Sequence, residues 1–215
     1  MIMNKLIRTV TTVVLVAASC FALSSCIKYV NPNETTMPEI TKPTDEHTLS
    51  GLHHVEIDVQ NYGTIAMELD ADTAPITVTN FIDLAQSGFY DGLTFHRIMD
   101  GFMIQGGDPA GNGSGGSDQN IIGEYAANGY ENNISHVRGV VSMARRSDDY
   151  NSASSQFFIV QTDSLFLDGE YAAFGHVTSG MEIVDRICID TPVQDNNGTV
   201  LAGDQPVITE VRVID

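Results

Sequence analysis

FHRIMDGFMIQGGDP, residues 95–109, sets one arginine and one histidine among apolar side chains. His96 and Arg97 are flanked by Phe95, Ile98, Phe102, Met103 and Ile104, and Gln105, Gly106–Gly107 and Asp108–Pro109 follow. LTFHRI and FMIQGG read as two strands with MDG between them. Strict alternation along the first strand puts His96 and Arg97 on opposite faces. No nucleophile stands beside Arg97. A lone guanidinium in an apolar setting is most simply a partner for a buried acid, and what chemistry it would otherwise serve is left open by this stretch alone.

Working outward, HHVEIDVQNYGTIAMELD is a hairpin whose inward faces are Val55, Ile57 and Val59, then Ile65, Met67 and Leu69. Next comes a helix with Pro75 in its first turn after a cap at Asp72 or Thr73. Its predicted buried stripe is Ile76, Phe81, Leu84 and Ala85, and Gly88 stops it. Beyond residue 109, DPAGNGSGGSDQ is a glycine-rich loop. RGVVSMAR and SQFFIVQT are apolar strands, AAFGHV is a further strand, a second helix spans about 179–189, and QPVITEVRVID closes the chain as a strand. About eight short strands and two helices predict a mainly β fold: a closed eight-stranded antiparallel barrel capped by two α-helices.

The N-terminus is of another kind. Lys5 and Arg8 precede an apolar stretch from Val10 to Leu23, closed by LSSC at residues 23–26. Residues 1–26 read as an export signal, and the small residues before Cys26 resemble a bacterial lipobox, in which the cysteine is lipidated. Cys20 lacks the leucine three positions before it. Residues 27–50, rich in Pro, Thr, Asn and acid, form a linker, and 51–215 form the folded domain. The expected location is therefore outside the cytoplasm, on the outer face of the cell membrane or the periplasmic side, through an N-terminal lipid anchor. The remaining cysteine, Cys188, reads as a buried small hydrophobe.

Several function classes are disfavoured. The net charge is −18 and no lysine follows Lys42, which argues against nucleic-acid binding. The glycine-rich loop lacks the lysine and following helix of a phosphate loop. His53–His54, His96, His136 and His176 show no paired ligand spacing, so no metal is expected. No G-x-S-x-G supports a hydrolase.

Residues 95–109 resemble the cyclophilins, peptidyl-prolyl cis–trans isomerases of EC 5.2.1.8 built on an eight-stranded barrel. The resemblance continues through GNGSGG (111–116), GVVSMAR (139–145), SSQFFIV (154–160), LDGEYAAFGHV (167–177) and GMEIVD (180–185). It implies that Arg97 is the catalytic arginine and that Gln105 and Gln156 orient it and the substrate. It implies a proline pocket of Phe102, Met103, Phe158 and Leu167, and a backbone contact segment at Ala144 and Arg145. Phe166 and Tyr171 stand where the best-known eukaryotic pattern has tryptophan and histidine. Phe166 lacks the indole donor, and Tyr171 keeps a hydroxyl. Arg145 and Arg146 read as rim residues that favour acidic substrates, against ordinary solvated charge. The expected partner is an unfolded or partly folded proline-containing polypeptide, the expected state a monomer without cofactor, and the competing reading a non-catalytic proline-peptide module on the same fold.

Overall fold

The computed structural model describes residues 48–215. The signal, Cys26 and the linker up to His47 lie outside the described residues. Packing begins just before Gly51: Leu49 donates its backbone N–H to Thr79 Oγ1 at 2.9 Å and rests on the core.

The hairpin forms as the alternation predicts. Strands β1 (Leu52–Val59) and β2 (Gly63–Asp70) pair antiparallel, and all six inward residues are buried. Then follow α1 (Pro75–Gln86), β3 (Phe95–Met99), β4 (Met103–Gly106), β5 (Val140–Met143), β6 (Phe157–Val160), β7 (Ala173–Ser179), α2 (Met181–Asp190) and β8 (Ile208–Val213). The strands make one antiparallel sheet in the order β3-β4-β6-β5-β7-β2-β1-β8.

The sheet curls but does not close, which corrects the expected closed barrel. The end strands β3 and β8 share no ladder. A single Thr94–Val207 bridge and the neighbouring bonds from Phe95 N to Pro206 O, from Ile208 N to Leu93 O and from Gly92 N to Ile208 O join them. The reason lies on the free edge of β3. The segment before β8 has already taken it: Ile98 N donates to Gly198 O, Val200 N donates to His96 O, and Arg97 bridges Thr199. Groups bonded in this way cannot also pair with β8, so the edge is covered without closure.

Helix α1 differs in detail from expectation. Its N-cap is Ala74, with Pro75 at the first position. The orphan N–H groups of Ile76 and Thr77 are instead met by the carboxylate of Glu124, buried and 47 residues from Thr77, which also accepts the Thr77 hydroxyl. The side chains of Asp72 and Thr73 are engaged elsewhere: Asp72 Oδ1 accepts from the Gly51 N–H and the Thr73 hydroxyl donates to Asp70, which also accepts from the Asp72 and Thr73 N–H groups. The buried face is Pro75, Thr77, Val78, Phe81, Ile82 and Ala85, with Ile76 and Leu84 half-buried at its margin.

Alternation within the sheet produces two apolar layers. Ile98, Ile104, Ile159 and Val141 lie in register across β3, β4, β6 and β5 and face the main core beneath α1 and α2. The residues between them face outward. Met103, Val140, Phe158, Val160, Leu167 and Ala173 form a separate, smaller cluster on the outer surface, with Phe102, Ala144 and Tyr171 packed against it. That outer layer carries the site.

Candidate functional site

Arg97, Gln105, Phe158 and Ser142 stand in one row across β3, β4, β6 and β5. The row borders a hollow of about 270 Å³ lined by Arg97, Phe102, Met103, Gln105, Ala144, Arg145, Phe158, Phe166, Leu167 and Tyr171. The walls are strand residues where precision is needed and loop residues at the mouth. Met103 and Phe158 are buried on β4 and β6, Leu167 is buried in a short 3₁₀ turn (Leu165–Leu167), and Phe166 beside it is 72% exposed and lies over Phe102 with ring centroids 5.6 Å apart. Every sequence-predicted site residue of the domain is thus in this hollow except Gln156, which lies behind it and holds Gln105. Cys26 lies outside the described residues.

The guanidinium of Arg97 is oriented by neutral oxygens. Nε donates to the Asn197 carbonyl at 2.8 Å, Nη2 to Asn197 Oδ1 at 3.2 Å and Nη1 to Gln105 Oε1 at 3.2 Å. These bonds use three of its five N–H groups. The other two meet only the sulfurs of Met99 and Met103, weak acceptors that a substrate atom can displace. No carboxylate pairs with Arg97 among the described residues, so the buried-acid alternative finds no acid. Burial pulls its pKa below the ordinary arginine value, while Tyr171 and Asp195 oppose the shift.

Behind Arg97 runs a relay of amides. Gln105 Nε2 donates to Gln156 Oε1 at 2.9 Å, and Gln156 Nε2 donates to the carbonyls of Gly115 and Gly113 at 2.7 and 3.2 Å. The glycine-rich loop therefore anchors the positioner of the positioner. It is itself folded around Asp108, whose carboxylate accepts N–H bonds from Ala110, Asn112 and Gly113. Burial opposes ionisation of Asp108, but these three donors outweigh it and hold its pKa below the usual carboxylate value. Gly107, at φ +82°, lets the chain leave β4 against Ser155, where a side chain would collide with the Ser155 carbonyl.

Asn197 is the functional residue that the sequence reading missed. It lies in DNNGT, whose local pattern signals a turn: Asp195 accepts from the N–H groups of Asn197 and Thr199 and from the Thr199 hydroxyl. Nothing in the sequence says that this turn lies against β3, 100 residues earlier.

Two expectations change. His96 does not face away from Arg97. Phe95 pairs with Gly106 and Arg97 with Gln105, so His96 is the extra residue of a bulge. It lines a second cavity, of about 540 Å³, that Arg97 and Gln105 also border, together with Asn197, Thr199 and Gln205. It is 4% exposed with both ring nitrogens unpartnered, and burial lowers its pKa, against Asp108. Arg145 is not a rim charge. Its side chain is 7% exposed and its guanidinium sits 4.7 Å from the ring of Tyr171, 5.1 Å from that of Tyr150 and 5.3 Å from that of Tyr125. Arg146 is the exposed one of the pair and is matched by Asp149 at 2.9 Å and Asp148 at 3.6 Å.

Outside the hollow, Cys188 is buried and its thiol is pushed up to about 12 by burial, as suits a packing residue and not a nucleophile. Among the described residues, no three His, Cys, Asp or Glu side chains converge as metal ligands.

Residues 54–213 match the model of the family described as cyclophilin type peptidyl-prolyl cis-trans isomerase/CLD. A peptidyl-prolyl cis–trans isomerase of Helicobacter pylori is 45% identical over 129 residues, which is 59% of this chain and 76% of that protein. One from Dictyostelium discoideum is 40% identical over 153 residues, 71% of this chain and 89% of its own. Among solved structures, a cyclophilin-type isomerase of Cryptosporidium parvum, crystallised in the presence of the dipeptide Ala-Pro, superposes with a TM-score of 0.66 at 32% identity and covers 75% of this chain and 99% of its own.

Proposed function

The chain belongs to the cyclophilin-type peptidyl-prolyl cis–trans isomerases and is an enzyme of that class, and we propose that it turns over X–Pro bonds through Arg97 in the hollow just described. The observation that carries this is a guanidinium held only by neutral oxygens at the edge of an apolar hollow, with two N–H groups left on weak acceptors.

The chemistry follows from the peptide bond. Rotation about C–N faces a barrier of about 18–20 kcal/mol because resonance gives the bond double-bond character. The X–Pro isomers differ by only about 0.5–1 kcal/mol, so the catalyst must act on rate. When the amide twists, conjugation is lost and the nitrogen lone pair localises. Arg97 donates a hydrogen bond to that lone pair, an interaction stronger in the twisted state than in either planar isomer. Arg97 remains protonated throughout, so no proton is transferred. Phe102, Met103, Phe158 and Leu167 grip the proline ring and exclude water, which strengthens the bond. Ala144 and the neighbouring backbone hold the residues before the proline, and Gln105, Gln156 and Asn197 keep the guanidinium aimed.

A protease-coupled assay on a prolyl peptide tests the assignment. Arg97→Ala lowers kcat/KM by about 10²-fold, the loss typical of removing one preorganised donor. Equal rates for this variant and the unsubstituted enzyme would place turnover elsewhere.

The substrates we propose are exported proteins folding outside the cytoplasm, with the enzyme tethered by lipid on Cys26. The support is the signal-like stretch up to LSSC and the polar segment that follows it. Metabolic labelling with a palmitate analogue decides the tether: label enters the intact chain and disappears in Cys26→Ser, and label that persists in this variant rejects it.

A further inference from the structure

Arg145 carries a full charge in a place that offers it almost no water. Three tyrosine rings surround it, and its guanidinium donates to protein oxygens. Nε donates to the Glu170 carbonyl at 3.0 Å, Nη1 to the Arg146 carbonyl at 2.9 Å, and Nη2 reaches Glu170 Oε2 at 3.4 Å. A planar fork of fixed donors makes such bonds to two chain segments in a set geometry, which the compact ammonium of a lysine, with its rotatable donors, does not fix.

The two segments lie side by side: Ala144–Arg146 continues β5 and Leu167–Tyr171 leads into its paired neighbour β7, with Ala144, Arg145, Leu167 and Tyr171 all lining the proline hollow. Tyr171, the ring nearest the guanidinium, also meets Phe158 edge to face at 6.0 Å. Behind the ion, Tyr125 donates its hydroxyl to the Tyr150 carbonyl at 2.9 Å, and the two rings lie 5.8 Å apart. The back of the cage is therefore fixed, and the ion holds the ring of Tyr171 against a fixed base.

We infer that Arg145 is a positioning residue of the isomerase: it fastens the turn after β5 to the segment before β7 and sets the placement of Tyr171, without itself contacting an anionic substrate. This rests on the assignment of the hollow as the proline site. It also reverses the simplest expectation for two consecutive arginines at the edge of a groove, which is recognition of acidic peptides.

The test uses Arg145→Met, which keeps the stem and removes the charge, and Arg145→Lys, which keeps the charge and removes the fork. Both are assayed on two peptides that differ only in alanine or glutamate before the proline. Arg145→Met lowers kcat/KM by about fivefold, equally on both peptides, as expected from loss of a desolvated cation–π contact. Arg145→Lys recovers part of that loss, again equally. Combining Arg145→Met with Tyr171→Ala gives no further loss beyond Tyr171→Ala alone, because the effect runs through that ring. A loss confined to the glutamate peptide would make Arg145 a substrate-reading charge, and losses that multiply in the double variant would make it independent of Tyr171; either overturns the inference. Ring-proton NMR shifts of Tyr171 give a readout apart from turnover: they move in Arg145→Lys and stay in Arg146→Lys. If they stay in both, the inference fails even where the Met variant does not fold. Failure of the isomerase assignment is separately visible as an Arg97→Ala enzyme with undiminished rate.

Discussion

His96 and His136 are both buried imidazoles whose pKa burial pulls below the ordinary value, and they differ in what surrounds them. His96 has no hydrogen-bond partner at either nitrogen. His136 lies between Asp168 Oδ1 at 2.9 Å and Ser142 Oγ at 3.0 Å and stacks on Phe158, beneath the proline hollow; Asp168 opposes the shift without reversing it. In both cases the folded state binds fewer protons than the unfolded state once pH falls below the unfolded value of about 6.5. Their contribution is complete above that pH. It is lost as pH drops from about 6.5 toward the lower folded values and then levels off. Two such groups give a slope of at most about 2.7 kcal/mol per pH unit. Asp108 and Asp168, also held low, act only in the carboxylate range below. Urea midpoints at pH values of about 7.5 and 5.5, on either side of the imidazole range, check this. The midpoint falls at the lower pH, and it falls less in His96→Gln. Identical midpoints would contradict the burial argument. At this scale Arg97 was legible as an isolated cation among hydrophobes, whereas its role and the residues of the proline pocket came from the resemblance of the serial motifs. The side of the strand that His96 occupies was not legible, because a bulge depends on the partner strand and leaves no mark in local alternation.

Strand β3 shows how an element is completed by a segment far away in sequence. Its ladder to β4 is local, and the two strands were readable as neighbours across a short turn. Its other edge is completed by residues 198–200, and this contact both leaves the sheet open and delivers Asn197 to the guanidinium. Gly198 makes the approach. It has φ +78°, and a side chain there would run into the Ile98 carbonyl and Met99. Gly198→Ala is therefore expected to destabilise by about 1–3 kcal/mol through strain and collision. It should also lower isomerase activity, because the turn cannot reseat without moving Asn197. Gly203→Ala, in open space nearby, is the control and leaves both unchanged. Thermal unfolding and the prolyl-peptide assay on the two variants check the pair; a stable, fully active Gly198→Ala protein would show that the turn is not needed to aim Arg97. The same distance effect explains α1. Its cap comes from Glu124, so the neighbouring sequence pointed to Asp72 and Thr73, whose side chains bond to Gly51 and Asp70 instead.

At the scale of the molecule, one curled sheet separates two apolar layers: a main core under the helices and a small outer layer that is the site. The alternating strands made the main core legible. The outer layer was indistinguishable from more core, since FMIQGG and SQFFIV carry apolar residues on both faces, as a strand covered on both sides does. What distinguishes the outer layer is that only loops and a 3₁₀ turn cover it, and that follows from topology. Surrounding both layers is a surface with a net charge of −18 for the chain. Some of the few cations are drawn into multiple acidic contacts: Arg212 meets Glu56, Asp58 and Glu210 at the β1–β8 edge, and Arg138 meets Asp185 with two nitrogens. The chain carries 28 Asp and Glu against 10 Lys and Arg, so the folded state repels itself, and it does so more than an expanded chain in which the same charges lie farther apart. Salt screens this repulsion over about 10 Å at 0.1 M. The melting temperature should therefore rise by a few degrees between about 10 mM and 150 mM NaCl, where a domain of this size shifts about 2–4 °C per kcal/mol. A melting temperature that falls with NaCl would mean that the arginine clusters contribute more than the excess of acids costs.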